Sequence, residues 1–375
     1  MKIYQIVSNI HKLSPTSNKA IYSHAAWLAN GLVSAGHEVS LFASGDSETN
    51  AKLFSVTPTA TGEMDISDDL RKNYVYLLIS KCYSQTKDAD IIHAHFSILN
   101  LFYSVLSDTP TLQSIHSPLT EDQKTILEHF KNQKFISFSL AQRKQMPNLN
   151  WVANIYHGVD MQKFAFNPFP KNYFLFLGRI TEDKGVHNAI EAAKSAGVPL
   201  VIAGRSYPEE NYWHKQVEPH IDGKMVSYIG ELDFDKKIEW LKNARGLLLP
   251  VQIEEAFGMV MIEAMSCGTP VIAFNRGSIP EIVSHGKTGY VVKDVQEMVN
   301  AIKYINKIKR EDCRKRAENF FSIEKMVKGY INIYKRIISE EKFKKDKKEN
   351  RDALGAITKV LKSIPKPLRK KSKES

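Results

Sequence analysis

Only three cysteines occur in the 375 residues, Cys82, Cys267 and Cys313, and no two are spaced as a metal or disulfide pair. Their scarcity excludes a cysteine-built zinc site and a disulfide framework, and it predicts a reducing, cytoplasmic setting. No apolar run reaches the roughly 18 residues that would mark a membrane-spanning helix. The N-terminus, MKIYQIVSNIHKL, runs directly into a strand pattern without a small-residue cleavage site, so no cleaved leader is expected. Acidic residues are in deficit, and the formal net charge is +11. The excess is uneven: residues 341–375 hold thirteen Lys/Arg against five Asp/Glu, a net +8, which leaves +3 for the body. Hydrophobic residues, at 43%, suit a soluble globular chain, and the length predicts two domains with additions.

The most informative stretch is Leu248 to Asn275, LLPVQIEEAFGMVMIEAMSCGTPVIAFN. It reads as strand, turn, helix, turn, strand. A helix is expected from about Met259, stopping at Gly268 with Pro270 beyond it. Two acids, Glu255 and Glu263, flank the helix start with seven residues between them. The free N–H groups of a helix start suit a phosphate. An acid in front of that start repels phosphate but accepts hydroxyls, which sugars supply. An acid one turn further in can take the two hydroxyls of a ribose. The competing explanation is that both acids only complement the helix dipole.

The words E-A-F-G and E-A-M-S-C-G-T-P-V-I-A around these acids closely resemble the signature of family 4 retaining glycosyltransferases. That resemblance implies the GT-B fold, two doubly wound α/β/α domains facing across a cleft, and sugar transfer from a nucleotide diphosphate. Other stretches carry it too. Lys2–Ser8, a helix near Ile21–Ala35 and Val39–Ala43 form a βαβ opening that ends in A-G-H-E-V-S-L-F-A-S-G-D-S. Further first-sheet strands are expected at Ile91–Phe96, Thr111–Ile115, Phe135–Phe138 and Trp151–Ile155. His157-Gly158-Val159-Asp160 resembles the family's N-G-I-D turn. Gly178-Arg179 through Lys184-Gly185 resembles its G-R-x-x-x-x-K-G and is not a P-loop, which needs glycine before the lysine and Ser/Thr after it. In the second half, Tyr173–Leu177, Leu200–Gly204 and Met225–Ile229 read as strands, and 235–244 as a helix. Helices near Val295–Lys309 and Ile323–Ser339 complete the pattern.

Residue by residue, the resemblance implies that Arg179 and Lys184 neutralise the diphosphate, with Gly178 and the amides of Gly258, Met259 and Val260. Glu255 would hold the sugar and Glu263 the ribose. His116, at a strand end, would lie on the acceptor side. Lys184 is expected on an exposed loop. There is one departure: where the family usually has two glycines at the donor diphosphate, this chain has Lys19-Ala20. A lysine there either supplies charge in place of a bare amide or blocks close approach.

The implied domains are 1–165 on the acceptor side, 166–321 on the nucleotide-sugar side, a helix 322–340 crossing back to the first domain, and a basic tail 341–375. The linker is expected within Lys163–Lys171. The implied reaction uses no bound metal and no cofactor beyond the nucleotide diphosphate sugar as co-substrate. The acceptor would be a cell-envelope glycan or lipid-linked sugar, and nucleic acid is not expected as a partner. Asp88-Ala89-Asp90 precedes a strand instead of following one, which argues against a metal site. His93 and His95 share a strand face without a third ligand nearby in sequence, so they read as packed interior histidines. In the tail, Ala353, Leu354, Ile357, Val360, Leu361 and Ile364 recur at helical spacing between basic runs, which suits either an anionic membrane surface or a solvated tail. Two other functions stay open: another GT-B enzyme such as an epimerase or phosphorylase, and a non-catalytic scaffold of the same fold.

Overall fold

The structure, a computed structural model, describes residues 1–95, 98–209 and 211–363. Apolar β-branched and aromatic runs form two fully parallel sheets. The first contains β1 (Lys2–Ile6), β2 (Glu38–Phe42), β3 (Lys52–Phe54), β4 (Ile91–Ala94), β5 (Thr111–Ser114), β6 (Lys134–Ser137) and β7 (Trp151–Asn154), in the order β3-β2-β1-β4-β5-β6-β7. The second contains β8 (Phe174–Leu177), β9 (Leu200–Ala203), β10 (Val226–Tyr228), β11 (Gly246–Leu249), β12 (Val271–Phe274) and β13 (Gly289–Val292), in the order β10-β9-β8-β11-β12-β13. Strands such as β11 and β12 are buried throughout, because helices cover both faces of a parallel sheet. In each sheet the order reverses once, between β1 and β4 and between β8 and β11. The loops leaving those strands therefore open onto a crevice.

The expected strands agree with the observed ones to within one or two residues. Ile91–Phe96 ends at Ala94, and Phe96 lies outside the described residues. Helices Asp68–Ser84 and Arg310–Phe320 were not anticipated. The first buries Val75, Leu78, Ile79 and Cys82, a stripe at helical spacing, and its Ser67 cap accepts from Leu70 N–H. That signal was present in the sequence but faint against a polar background. All three cysteines are buried and free.

The last helix starts at Ile323 as expected but runs unbroken to Ser363, without the expected end near Ser339. Lys and Glu are good helix formers, so a charge run by itself does not stop a helix. Residues 364–375 are outside the described set, as are the side chains from 348 onward on which the membrane-surface reading of the tail rests. This helix does return to the first sheet. Met326, Tyr330, Ile333, Tyr334 and Ile337 are buried, and each such side chain contributes about 1.5–3 kcal/mol of apolar burial. The Tyr330 ring lies tilted against His93 and the Tyr334 ring meets it edge-on, with centres 5.0 and 5.7 Å away.

Other contacts tie the two halves together. Glu281 accepts from Leu140 N–H at 2.8 Å and Ala141 N–H at 2.7 Å, and Ser139 Oγ donates to Ala256 C=O at 2.8 Å. Arg314 donates to the carbonyls of Met161, Phe164 and Ser266, and Arg310 to that of Asn167, pinning the linker to the second domain.

Candidate active site

A cleft of about 620 Å³ lies between the sheets. Every residue that the resemblance assigned to donor or acceptor lines it: Lys19, His116, Gly178, Arg179, Lys184, Glu255, Gly258, Met259, Val260 and Glu263. They come from the loops after β1, β5, β8 and β11 and from the helix Met259–Ser266, at the carboxyl ends where such sheets bind ligands.

The helix Met259–Ser266 begins as expected, with Gly258 before it at φ 81°. Only glycine takes that conformation readily. A Cβ there would also come within 2.6 Å of Met261 Cε and 3.3 Å of Glu255 Cγ. Glu255 is held from behind by the turn Arg276–Glu281: Ser278 N–H donates to the Glu255 carbonyl at 2.9 Å, and Ser278 Oγ donates to the Phe257 carbonyl at 2.8 Å. That turn therefore sets the acid's position.

Lys184 is not on an exposed loop, contrary to expectation. Its side chain is 18% exposed, and its Nζ donates to Glu255 Oε2 at 2.7 Å. A second pair repeats the arrangement, with Lys237 Nζ on Glu263 Oε1 at 2.7 Å and side chains 12% and 9% exposed. Sequence reasoning missed Lys237. It lies on the helix Phe234–Asn243 with nothing in its spacing to single it out, and its Nζ is 5.0 Å from the Phe234 ring centre. Arg179 is 55% exposed and pairs with Asp183 at 3.2 Å. An exposed pair of this kind is weak, so Arg179 is free to take phosphate oxygens instead. Arg205 and Glu231 also line the cleft unannounced. The lining thus holds five cationic side chains (Lys19, Arg179, Lys184, Arg205, Lys237) and three acids (Glu231, Glu255, Glu263), a surplus of two positive charges.

Lys19 stands directly before the helix Ala20–Ser34, whose start has no side-chain cap. Beside it, Asn18 Nδ2 reaches across to the Leu232 carbonyl at 2.7 Å. On the first-domain side, His116 faces the cleft and a second cavity of about 320 Å³. Burial holds its imidazole pKa well below the usual value, so the ring is neutral at physiological pH. His157, in the turn after β7, is buried between the rings of Phe138 and Phe257. His93 and His95 are interior, as expected, but not without companions: His24 and His116, from other elements, bring their rings to within 5.6 and 5.7 Å of His95. Asp90 accepts from the Lys2 N–H at 2.8 Å, at the amino ends of β1 and β4, away from the cleft.

Two family descriptions match the chain. "Glycosyltransferase Family 4" covers residues 23–163 and "Glycosyl transferases group 1" covers 160–320, so they meet at the linker. Together with the fold, these matches make the chain a member of the GT-B glycosyltransferases. An uncharacterized glycosyltransferase of Methanocaldococcus jannaschii, MJ1178, is 26% identical over 69% of this chain and 79% of its own length. The O-antigen chain mannosyltransferase C of Escherichia coli is 26% identical over 45% of this chain and 48% of its own. The HepE protein of Anabaena, solved in complex with UDP-glucose, superposes with a TM-score of 0.67 at 18% identity, over 90% of this chain and all (100%) of that one.

Proposed function

We propose that this chain is a retaining, metal-independent glycosyltransferase of the family 4 type, which moves a sugar from a nucleoside diphosphate to a cell-envelope glycan or lipid-linked acceptor. The observation that carries the reading is the Lys184–Glu255 pair at 2.7 Å, lining one cleft with the start of the Met259–Ser266 helix. Lys184, Arg179 and the helix-start amides meet the charge that develops on the departing diphosphate. The cleft's surplus of two positive charges suits that group. Glu255 gives one oxygen to Lys184 and keeps acceptor capacity for sugar hydroxyls. Glu263, likewise steadied by Lys237, serves the ribose. His116, neutral, orients the sugar and acceptor from the other wall.

With positive charge on the leaving group and Glu255 engaged by Lys184, the diphosphate departs first and leaves a sugar of cationic character. Its phosphate oxygen then takes the acceptor's proton on the same face, and the anomeric configuration is kept. The O-antigen relative supports an envelope acceptor, and the +8 tail supports contact with the inner face of an anionic membrane.

A thermal-shift panel of UDP-, GDP- and ADP-sugars identifies the donor. Transfer from that α-linked donor, run with a chelator, is then followed by proton NMR of the product's anomeric signal. An α-linked product is expected. A β-linked product, or activity abolished by the chelator, overturns the mechanism. Donor binding without any transfer favours the scaffold reading, which the Lys19-Ala20 departure motivates.

A further inference from the structure

The first domain holds a group of imidazoles larger than sugar transfer requires. His24 comes from the helix Ala20–Ser34, His93 and His95 from β4 and its exit, His116 from the exit of β5, and His157 from the turn after β7. Their ring centres lie 3.9 to 5.7 Å from their neighbours in the cluster. His93 is fully engaged, its two nitrogens on Tyr334 Oη and Ser114 Oγ. His95 Nδ1 and His116 Nε2, by contrast, are buried atoms with no hydrogen-bond partner. Buried polar atoms are nearly always satisfied, so two orphans in one cluster call for an explanation.

Geometry supplies one. His24, His95 and His116 each offer a ring nitrogen, and the three nitrogens lie within 4.8 Å of one another. Their ring centres are 5.6, 5.1 and 5.7 Å apart. Three imidazoles on one tetrahedral ion, with metal–nitrogen bonds of about 2.0–2.1 Å, have ring centres about 5.2 Å apart. The rings already stand at that spacing, and modest ring rotation converges the nitrogens. A metal-bound imidazole donates its other N–H to an acceptor. His24 Nδ1 has His157 Nδ1 at 2.7 Å for this, and its Nε2 exchanges a long 3.4 Å contact with Tyr330 Oη for the ion. His95 Nε2 lies 3.3 Å from the Gln5 amide nitrogen, and turning that amide brings its unpartnered Oε1 round to accept. Burial keeps all three rings in the neutral form that carries a free lone pair.

We propose that His24, His95 and His116 form an inhibitory site for one borderline divalent transition metal ion, of which Zn²⁺ is the best match. An all-imidazole set selects such ions over Mg²⁺ or Ca²⁺, which prefer oxygen. The ion enters through the second cavity, which both His95 and His116 line, and keeps its fourth position open there. Bound metal withdraws His116 from the acceptor side. It leaves the donor's phosphate ligands on the second domain untouched. The inhibitory consequence rests on the transferase reading; metal binding itself does not.

The test titrates Co²⁺ into metal-free, full-length protein without a histidine tag, and then Zn²⁺. One Co²⁺ per chain is expected, with the visible ligand-field bands of a tetrahedral site, bleached by Zn²⁺. His95→Asn and His116→Gln should each weaken binding at least tenfold and remove the bands. Absence of stoichiometric uptake, or bands that persist in His116→Gln, overturns the site, and His116→Gln decides if His95→Asn does not fold. Metal held only by exposed imidazoles such as His129 or His220 would be insensitive to both variants and would also overturn it. In the transfer assay Zn²⁺ should lower turnover without changing donor affinity. Full turnover with the trio loaded overturns the inhibitory role alone. A chain that transfers no sugar at all still gives the Co²⁺ result, so failure of the functional reading is distinguishable.

Discussion

Lys184 pairs with Glu255 and, in the proposed reaction, with the departing diphosphate, so its substitution should cost on both counts. Removing a preorganised contact to developing charge costs roughly 3 kcal/mol, about a hundredfold in rate. Lys184→Ala also leaves Glu255, with a side chain 14% exposed, without its counter-charge. Turnover should therefore fall by about a hundredfold or more while near-UV circular dichroism stays native. Wild-type turnover in the folded variant would reject the assignment. The buried histidines make a separate prediction. His24, His93 and His95 are fully buried and His157 nearly so. Burial depresses all four, His24 to about 3. Their folded pKa values lie below the unfolded value, so the unfolded chain binds more protons as pH falls. Stability is then fully present above about pH 6.5 and lost below it, at about 1.4 kcal/mol per pH unit for each ring. By pH 5.5 the four together withdraw on the order of 5 kcal/mol, a large part of an ordinary stability. Urea midpoints measured between pH 7.5 and 5 should drop steeply, and a flat profile would show that the rings are not buried neutral.

At the scale of elements, the terminal helix Ile323–Ser363 completes the first domain's core while belonging, by sequence, after the second. Tyr334 is fully buried, and its Oη meets His93 Nδ1. Tyr334→Ala should cost about 3–5 kcal/mol, the usual range for removing a large core aromatic, read as a lower urea midpoint. A change under 1 kcal/mol would mean the helix is only loosely docked. The start of this helix was legible because Ser322-Ile323 opens an apolar spacing. Its end was not, because a run of Lys and Glu reads equally as solvated helix or as tail. The helix Met259–Ser266 was legible at both ends, since Gly258 and Gly268 bracket it and both take positive φ.

For the whole molecule, the charge asymmetry makes a prediction about location. Deleting residues 341–375 removes the net +8 but nothing that lines the cleft. Donor affinity should be unchanged, binding to anionic vesicles should fall, and added salt should weaken the full-length protein's vesicle binding. Equal vesicle binding with and without the tail would reject the membrane role.

The sequence by itself determined the two parallel sheets, because continuous apolar strands alternating with helices leave a doubly wound fold as the natural packing. It also picked out the stretches that line the cleft, since G-R-x-x-x-x-K-G follows a strand directly and Glu255 stands between a strand and the helix that carries Glu263. Tertiary structure alone decided the pairings. Lys184 meets Glu255 across 71 positions, and Lys237 meets Glu263 across 26. His93 meets Tyr334 across 241. Local propensity and periodicity act over a few residues, so they say which face of an element is buried. What a buried polar group finds on the other side depends on how distant elements pack, and here that packing turned lone acids and histidines into paired and clustered ones.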